Sequence, residues 1–271
     1  MKTYQITIYF LVFMLTSCIL EDRGKCPAYL TLDLSETPRE VDSLYMVLQY
    51  QEGTTFTKTI NKENFLDEYE IAIPRGEGYL AVYGNIDTSS YNNGYIVPFG
   101  CPADNIFTHF SQIDYNMDLI KEKIDVMKNN MGIIVKILGK SRDNSRIHIE
   151  IEGDKIGYSN DGRTLDGTFL HRPDNLHEPT NGEDYYIFKS RVPRHDSNSN
   201  LTLKVYSTGD TAPNKVKLIY ETSIMEKLSA AGISMNDPSL KDICITVDQA
   251  VPSITIGIDQ YENMEHTELE F

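Results

Sequence analysis

Apolar residues recur at every second position along most of this chain, and that period suits one kind of element. Leu30, Leu32 and Leu34 alternate with Tyr29, Thr31 and Asp33. Leu44, Met46, Leu48 and Tyr50 repeat the pattern, as do Tyr69, Ile71 and Ile73, and then Ile133, Val135 and Ile137. Further on it returns in Ile147, Ile149 and Ile151, in Leu201, Leu203 and Val205, in Val216, Leu218 and Tyr220, and in Ile243, Ile245 and Val247. Ile254, Ile256 and Ile258 close the series. Successive side chains of a strand face opposite sides, so alternation of this kind gives each strand one buried face. Turn-forming residues separate the runs: Thr37-Pro38, Pro74 to Gly78, Asn93-Gly94, Asp161-Gly162 and Asp166-Gly167. Asn-Gly favours a tight hairpin because both residues tolerate positive φ. Short strands at this spacing predict an all-β sandwich architecture.

Helices are few. Ser223 to Ala231 has helical propensity and Gly232 as its stop. Met117 to Met127 fits a helix, but Ile124 and Val126 also alternate, so both readings stay open there. Residues 171–200 are polar and rich in Pro, Asn and His, a long surface loop around the strand-like Tyr185 to Phe188. The predicted organisation is two β-domains, 28–139 and 140–271, of roughly 110–130 residues each, with one or two short helices.

Residues 1–17 read as a signal peptide. Lys2 supplies a positive start, and Ile6 to Leu15 is uncharged and mostly aliphatic or aromatic. A membrane span needs about 20 apolar residues, so this stretch is too short to be one. It runs into Leu15-Thr16-Ser17-Cys18, which resembles a bacterial lipobox, with Cys18 as the lipidated residue. Residues 18–27 then form a short polar tether containing Glu21 and Asp22. Cys26 and Cys101 each precede a proline outside the strand runs, and a Cys26–Cys101 disulfide is an expectation for an exported chain. Cys244 lies inside a strand-like run, where a buried thiol packs as a small hydrophobe.

Several function classes are disfavoured. Forty Asp and Glu against 25 Lys and Arg leave a net charge of −15, which repels phosphate backbones, so no nucleic-acid partner is expected. Gly76-Glu77-Gly78-Tyr79-Leu80-Ala81 matches a loose dinucleotide fingerprint, but Tyr79 to Tyr83 reads as a strand where that motif requires a helix. His171, Asp174, His177 and Glu178 share one loop at spacings that are not diagnostic of a metal site. Asn160-Asp161-Gly162 lacks the ligand pattern of a calcium loop. No catalytic, metal or cofactor site is assigned, and the chain is not read as an enzyme.

The stretch from Cys18-Ile19 through Gly24-Lys25-Cys26-Pro27 into Tyr29-Leu30-Thr31-Leu32-Asp33-Leu34 resembles the fimbrillin-A-associated anchor proteins of Bacteroides-like bacteria. So does Ile71-Ala72-Ile73-Pro74-Arg75-Gly76 leading into Tyr79-Leu80-Ala81-Val82-Tyr83-Gly84-Asn85. Ile254-Thr255-Ile256-Gly257-Ile258 resembles the family's closing strand. Trp is absent from this chain, whereas the family usually has one near Tyr83 and after Gly257. The resemblance implies two tandem transthyretin-like β-sandwiches on a lipid-anchored outer-membrane protein at the cell surface. It implies an anchor or accessory subunit of a fimbria, with other fimbrial subunits as partners through β-strand complementation. The alternative is a surface glycan- or ligand-binding lipoprotein, for which Tyr83, Tyr91 and Tyr95 would supply the aromatic platform.

Overall fold

The computed structural model describes residues 26–65, 68–86, 91, 93–139, 146–177, 185–209, 216–237, 240–249 and, for the backbone, 253–257. The described residues are mostly β-strand with one short α-helix, organised in four sheets. Sheet A has the order β4 (Tyr69–Ile73), β1 (Ala28–Asp33), β8 (Leu119–Lys123). Sheet B runs β3 (Thr55–Asn61), β2 (Ser43–Tyr50), β5 (Glu77–Gly84), β7 (Phe107–Asp114), β9 (Met127–Lys128). Leu30 and Leu32 from sheet A pack with Leu44, Met46, Leu48, Leu80 and Val82 from sheet B in one buried cluster. These are the alternating positions of the sequence, now facing each other.

Sheet C has the order β12 (Thr164–His171), β11 (Arg146–Ser159), β15 (Leu201–Thr208), β16 (Val216–Ser223). Where β15 stops at Gly153, the short β6 (Gly94–Ile96) takes its place beside the end of β11. Sheet D runs β13 (Asn175–His177), β14 (Tyr185–Pro193), β10 (Asn130–Leu138), β17 (Ile243–Asp248), β18 (Ser253–Gly257). Ile149, Ile151, Leu203 and Val205 of sheet C meet Ile133, Val135, Phe188 and Ile245 of sheet D in the second buried cluster. Helix α1 (Ile224–Ala230) starts where the Ser223 hydroxyl accepts the Glu226 N–H, and Gly232 turns the chain away with φ +71°.

Long-range pairing fixes three stretches that the sequence pattern did not. β10, read as the last strand of the first domain, is bonded antiparallel to β14 and parallel to β17, so the sheet pairing changes over between Lys128 and Asn130. Met117 to Met127 contains no helix; its centre is β8, parallel to β1, with Ile120 against the first core and Ile124 buried in it. In the polar stretch after residue 171, the strand-like Tyr185 to Phe188 extends to Pro193 as the nine-residue β14, on the inner flank of sheet D. In all three, long-range pairing decides what local pattern left undetermined.

The centre of sheet B is buried on both sides, while β3 and Tyr79 stay exposed on the second. Its second face presents Val47, Ala81 and Tyr83 to the cluster of sheets C and D. The Tyr83 hydroxyl donates to Asn160 Oδ1 at 2.9 Å, and Asn160 Nδ2 donates to Gln49 Oε1 at 3.1 Å and to the Tyr91 hydroxyl at 2.9 Å. Tyr91 packs edge-on against Tyr45 and Tyr83. Arg194 clamps the changeover, donating to the carbonyls of Lys128 and Met235 at 2.7 Å each.

Candidate interaction surface

With no chemistry assigned, function falls to exposed edges and faces, and the side chains singled out in the sequence are largely structural. Cys18 lies outside the described residues. Cys26 and Cys101 stand as separate thiols, Cys26 partly buried and Cys101 exposed. Cys26 leads into β1, and its carbonyl accepts a hydrogen bond from Arg75 Nε at 2.9 Å. Cys101 sits in a turn beside β12, where the neighbouring Gly100 bridges to His171. The two are tied to different sheets. Cys244 is buried with Ile134 and Ile187 on sheet D.

The described histidines of the polar loop have other partners. His171 Nδ1 shares a 2.7 Å hydrogen bond with Ser190 Oγ, and the His177 ring stacks on Tyr185 at 4.3 Å. Glu178 lies outside the described residues. Among the described residues no group of three His, Cys, Asp or Glu side chains could hold a metal ion. Gly76 to Gly78 makes the turn into β5, and a Cβ at Gly78 would lie 2.0 Å from the Gln49 carbonyl. That close approach between neighbouring strands accounts for the glycine without a phosphate. The aromatic platform is also absent. Tyr83 and Tyr95 are fully buried and Tyr91 is partly so, all three in or against the core that joins sheet B to sheets C and D. Burial pushes the Tyr83 and Tyr95 hydroxyls well above the ordinary tyrosine range.

Edges remain. Among the described residues β16 is an outer strand of sheet C, bonded to β15 alone. It leaves Val216, Leu218 and Ile219 exposed, and Ile219 falls where the register shifts between Val205 and Tyr206. Exposed edges are ordinarily blunted by charge, proline or brevity, because their unpaired amides accept a further strand. β16 has eight residues, and Lys217 and Glu221 are its charges. By contrast β3, the outer strand of sheet B, shows mostly threonine and lysine, and β9 and β13 are very short. Periodicity located β16 in the sequence. Its edge position depended on the sheet order, which periodicity does not encode.

The assembly of β-sheets is similar in fold to solved structures of a fimbrial anchor protein of Porphyromonas and of adhesins of Bacteroides. Among solved structures, the fimbrial anchor protein Mfa2 from Porphyromonas gingivalis is similar with a TM-score of 0.60 at 14% identity, over 87% of this chain and 100% of that one. A proposed adhesin from Bacteroides ovatus reaches 0.60 at 11% identity, over 87% and 94%. A second proposed adhesin, from Bacteroides thetaiotaomicron, reaches 0.57 at 15% identity, over 86% and 96%. At such identities the likeness is one of fold. The sequence matches no protein-family model and no curated protein.

Proposed function

We propose that this chain is an anchor or accessory subunit of a surface fimbria, held to the outer membrane by lipid on Cys18 and gripping a neighbouring subunit along β16. The observation that carries the reading is the β16 edge, eight residues long with Val216, Leu218 and Ile219 exposed, and with no strand beyond it among the described residues. An added strand would gain main-chain hydrogen bonds for affinity, and Val216 and Leu218 would set its register. Similarity to Mfa2 along that protein's whole length supports a fimbrial context. On this reading sheets A and B form one transthyretin-like sandwich and sheets C and D the other. The glycan-binding alternative loses its support with the burial of Tyr83, Tyr91 and Tyr95.

The double variant Val216→Lys, Leu218→Lys tests the edge. Both side chains are exposed, so thermal stability should hold while co-purification with sheared surface filaments drops at least tenfold. Undiminished co-purification would sink the edge assignment. Separately, Cys18→Ala should move the protein out of the membrane fraction, and retention after a carbonate wash would overturn the lipid anchor.

A further inference from the structure

Sheet A turns one face to sheet B and the other outward. On the outward face β1 and β8 run parallel in register, with Tyr29 beside Leu119, Thr31 beside Lys121 and Asp33 beside Lys123. The first row is apolar and open: Tyr29 is 42% exposed and Leu119 69%, and Met117, just before β8, is 61% exposed. The following rows are ionic. Lys121 pairs with Glu68 at 2.5 Å and Lys123 with Glu36 at 2.8 Å. The face therefore passes from apolar to charged within four residues of strand, about 13 Å.

The apolar end is also where the chain enters. Tyr29 follows Cys26 by three residues, and the Tyr29 amide donates to the Asp118 carbonyl at 3.0 Å. Arg75 fixes the entry point, since its guanidinium bonds the carbonyls of Cys26 and Asn116 and the Asp118 carboxylate.

We infer that this end of sheet A rests on the lipid surface, with Tyr29, Met117 and Leu119 entering the headgroup layer. The inference builds on the reading of Cys18 as the lipid site. From Cys18 to Cys26 a fully extended chain spans no more than about 29 Å. The lipid surface is thus within that distance of the Arg75 clamp, and the apolar row lies beside the clamp. Tyrosine suits such a boundary, with an apolar ring and a polar tip. Lys121 and Lys123, farther along, keep their ammonium groups among headgroups or water. A net charge of −15 gives no attraction to anionic lipid, so the contact is made by apolar insertion and suits a zwitterionic surface.

The chain contains no Trp, so one introduced Trp reports alone. Leu119→Trp and Val216→Trp are made in chains bearing a hexahistidine tag in place of Cys18. Each is held on phosphatidylcholine vesicles containing a nickel-chelating lipid, which tests the contact without acylation. With brominated acyl chains, emission from position 119 should fall at least twofold and shift to the blue, while position 216 changes little. Equal, weak quenching at both positions on vesicle-bound protein overturns the inference. So does shielding of position 119 by added fimbrial subunits but not by lipid, which would give the face to a protein partner. The mass of the Cys18-bearing chain reports acylation independently: an unmodified Cys18 ends the anchor reading and leaves the vesicle result standing.

Discussion

The imidazole of His195 fills the space that a side chain at position 153 would occupy. A Cβ on Gly153 would lie 2.3 Å from His195 Nε2, while Nδ1 bonds the Pro193 carbonyl at 2.7 Å. His195 is completely buried, and burial holds its pKa below the ordinary histidine value. Above about pH 6.5 both folded and unfolded chains hold it neutral, so it contributes no pH dependence. As pH falls below that value the unfolded chain takes the proton first, and stability declines by up to about 1.4 kcal/mol per pH unit until the folded form also titrates. His171, also lowered by burial, acts in the same direction. Urea midpoints should therefore be lower at pH 5.5 than at pH 7.5, and equal midpoints would contradict a neutral buried His195. Gly153→Ala should cost about 1–3 kcal/mol by overpacking, read as a lower Tm. Nothing at residue level in the sequence marked position 153 or His195, because the close approach joins the bulged part of β11 to a loop more than forty residues later.

Among the elements, β10 shows why alternation was legible and partnership was not. Ile133, Val135 and Ile137 announce a strand with one buried face; the strand forms, and Asn130, Gly132 and Ile134 on its other face are buried as well. Which sheet it joins depends on β14 and β17, the latter more than a hundred residues away, and nothing local specifies them. β8 teaches the converse: its residues tolerate a helix, and parallel pairing with β1 selects the strand. Helix α1 was readable in full, since its cap and its stop are local. Ile133→Ala in the middle of sheet D should cost about 2–5 kcal/mol. Leu119→Ala, on the open side of β8, should cost under about 0.5 kcal/mol. Comparable losses in chemical denaturation would mean that the faces are wrongly assigned.

At the scale of the molecule, the centre of sheet B is covered on both faces. Sheet A covers one side, and Tyr91, Tyr95 and Asn160 cover the other. Separating the two sandwich-like pairs would bare Val47, Ala81 and Tyr83 to water, so unfolding should run as one cooperative transition in calorimetry. Asn160→Ala removes the partner of the Tyr83 hydroxyl, the Tyr91 hydroxyl and the Gln49 amide together. It should cost about 1–3 kcal/mol while leaving the transition single. Two resolved transitions in the parent chain would show that the contact is too weak to couple the pairs. The sequence carried a hint of this in β5, where Leu80 to Tyr83 are apolar without a break, as befits a strand covered on both faces.

The central place of β1 in sheet A also bears on how the molecule would carry a load. Tension arriving through Cys26 runs along the axis of β1, which is bonded to β4 on one flank and β8 on the other. Ladder hydrogen bonds lie across that axis, so pulling strains both rows together in shear instead of opening them one after another. Were the chain held through Cys18 as proposed, sheet A would meet such a load in its shear geometry, where many hydrogen bonds must break at once.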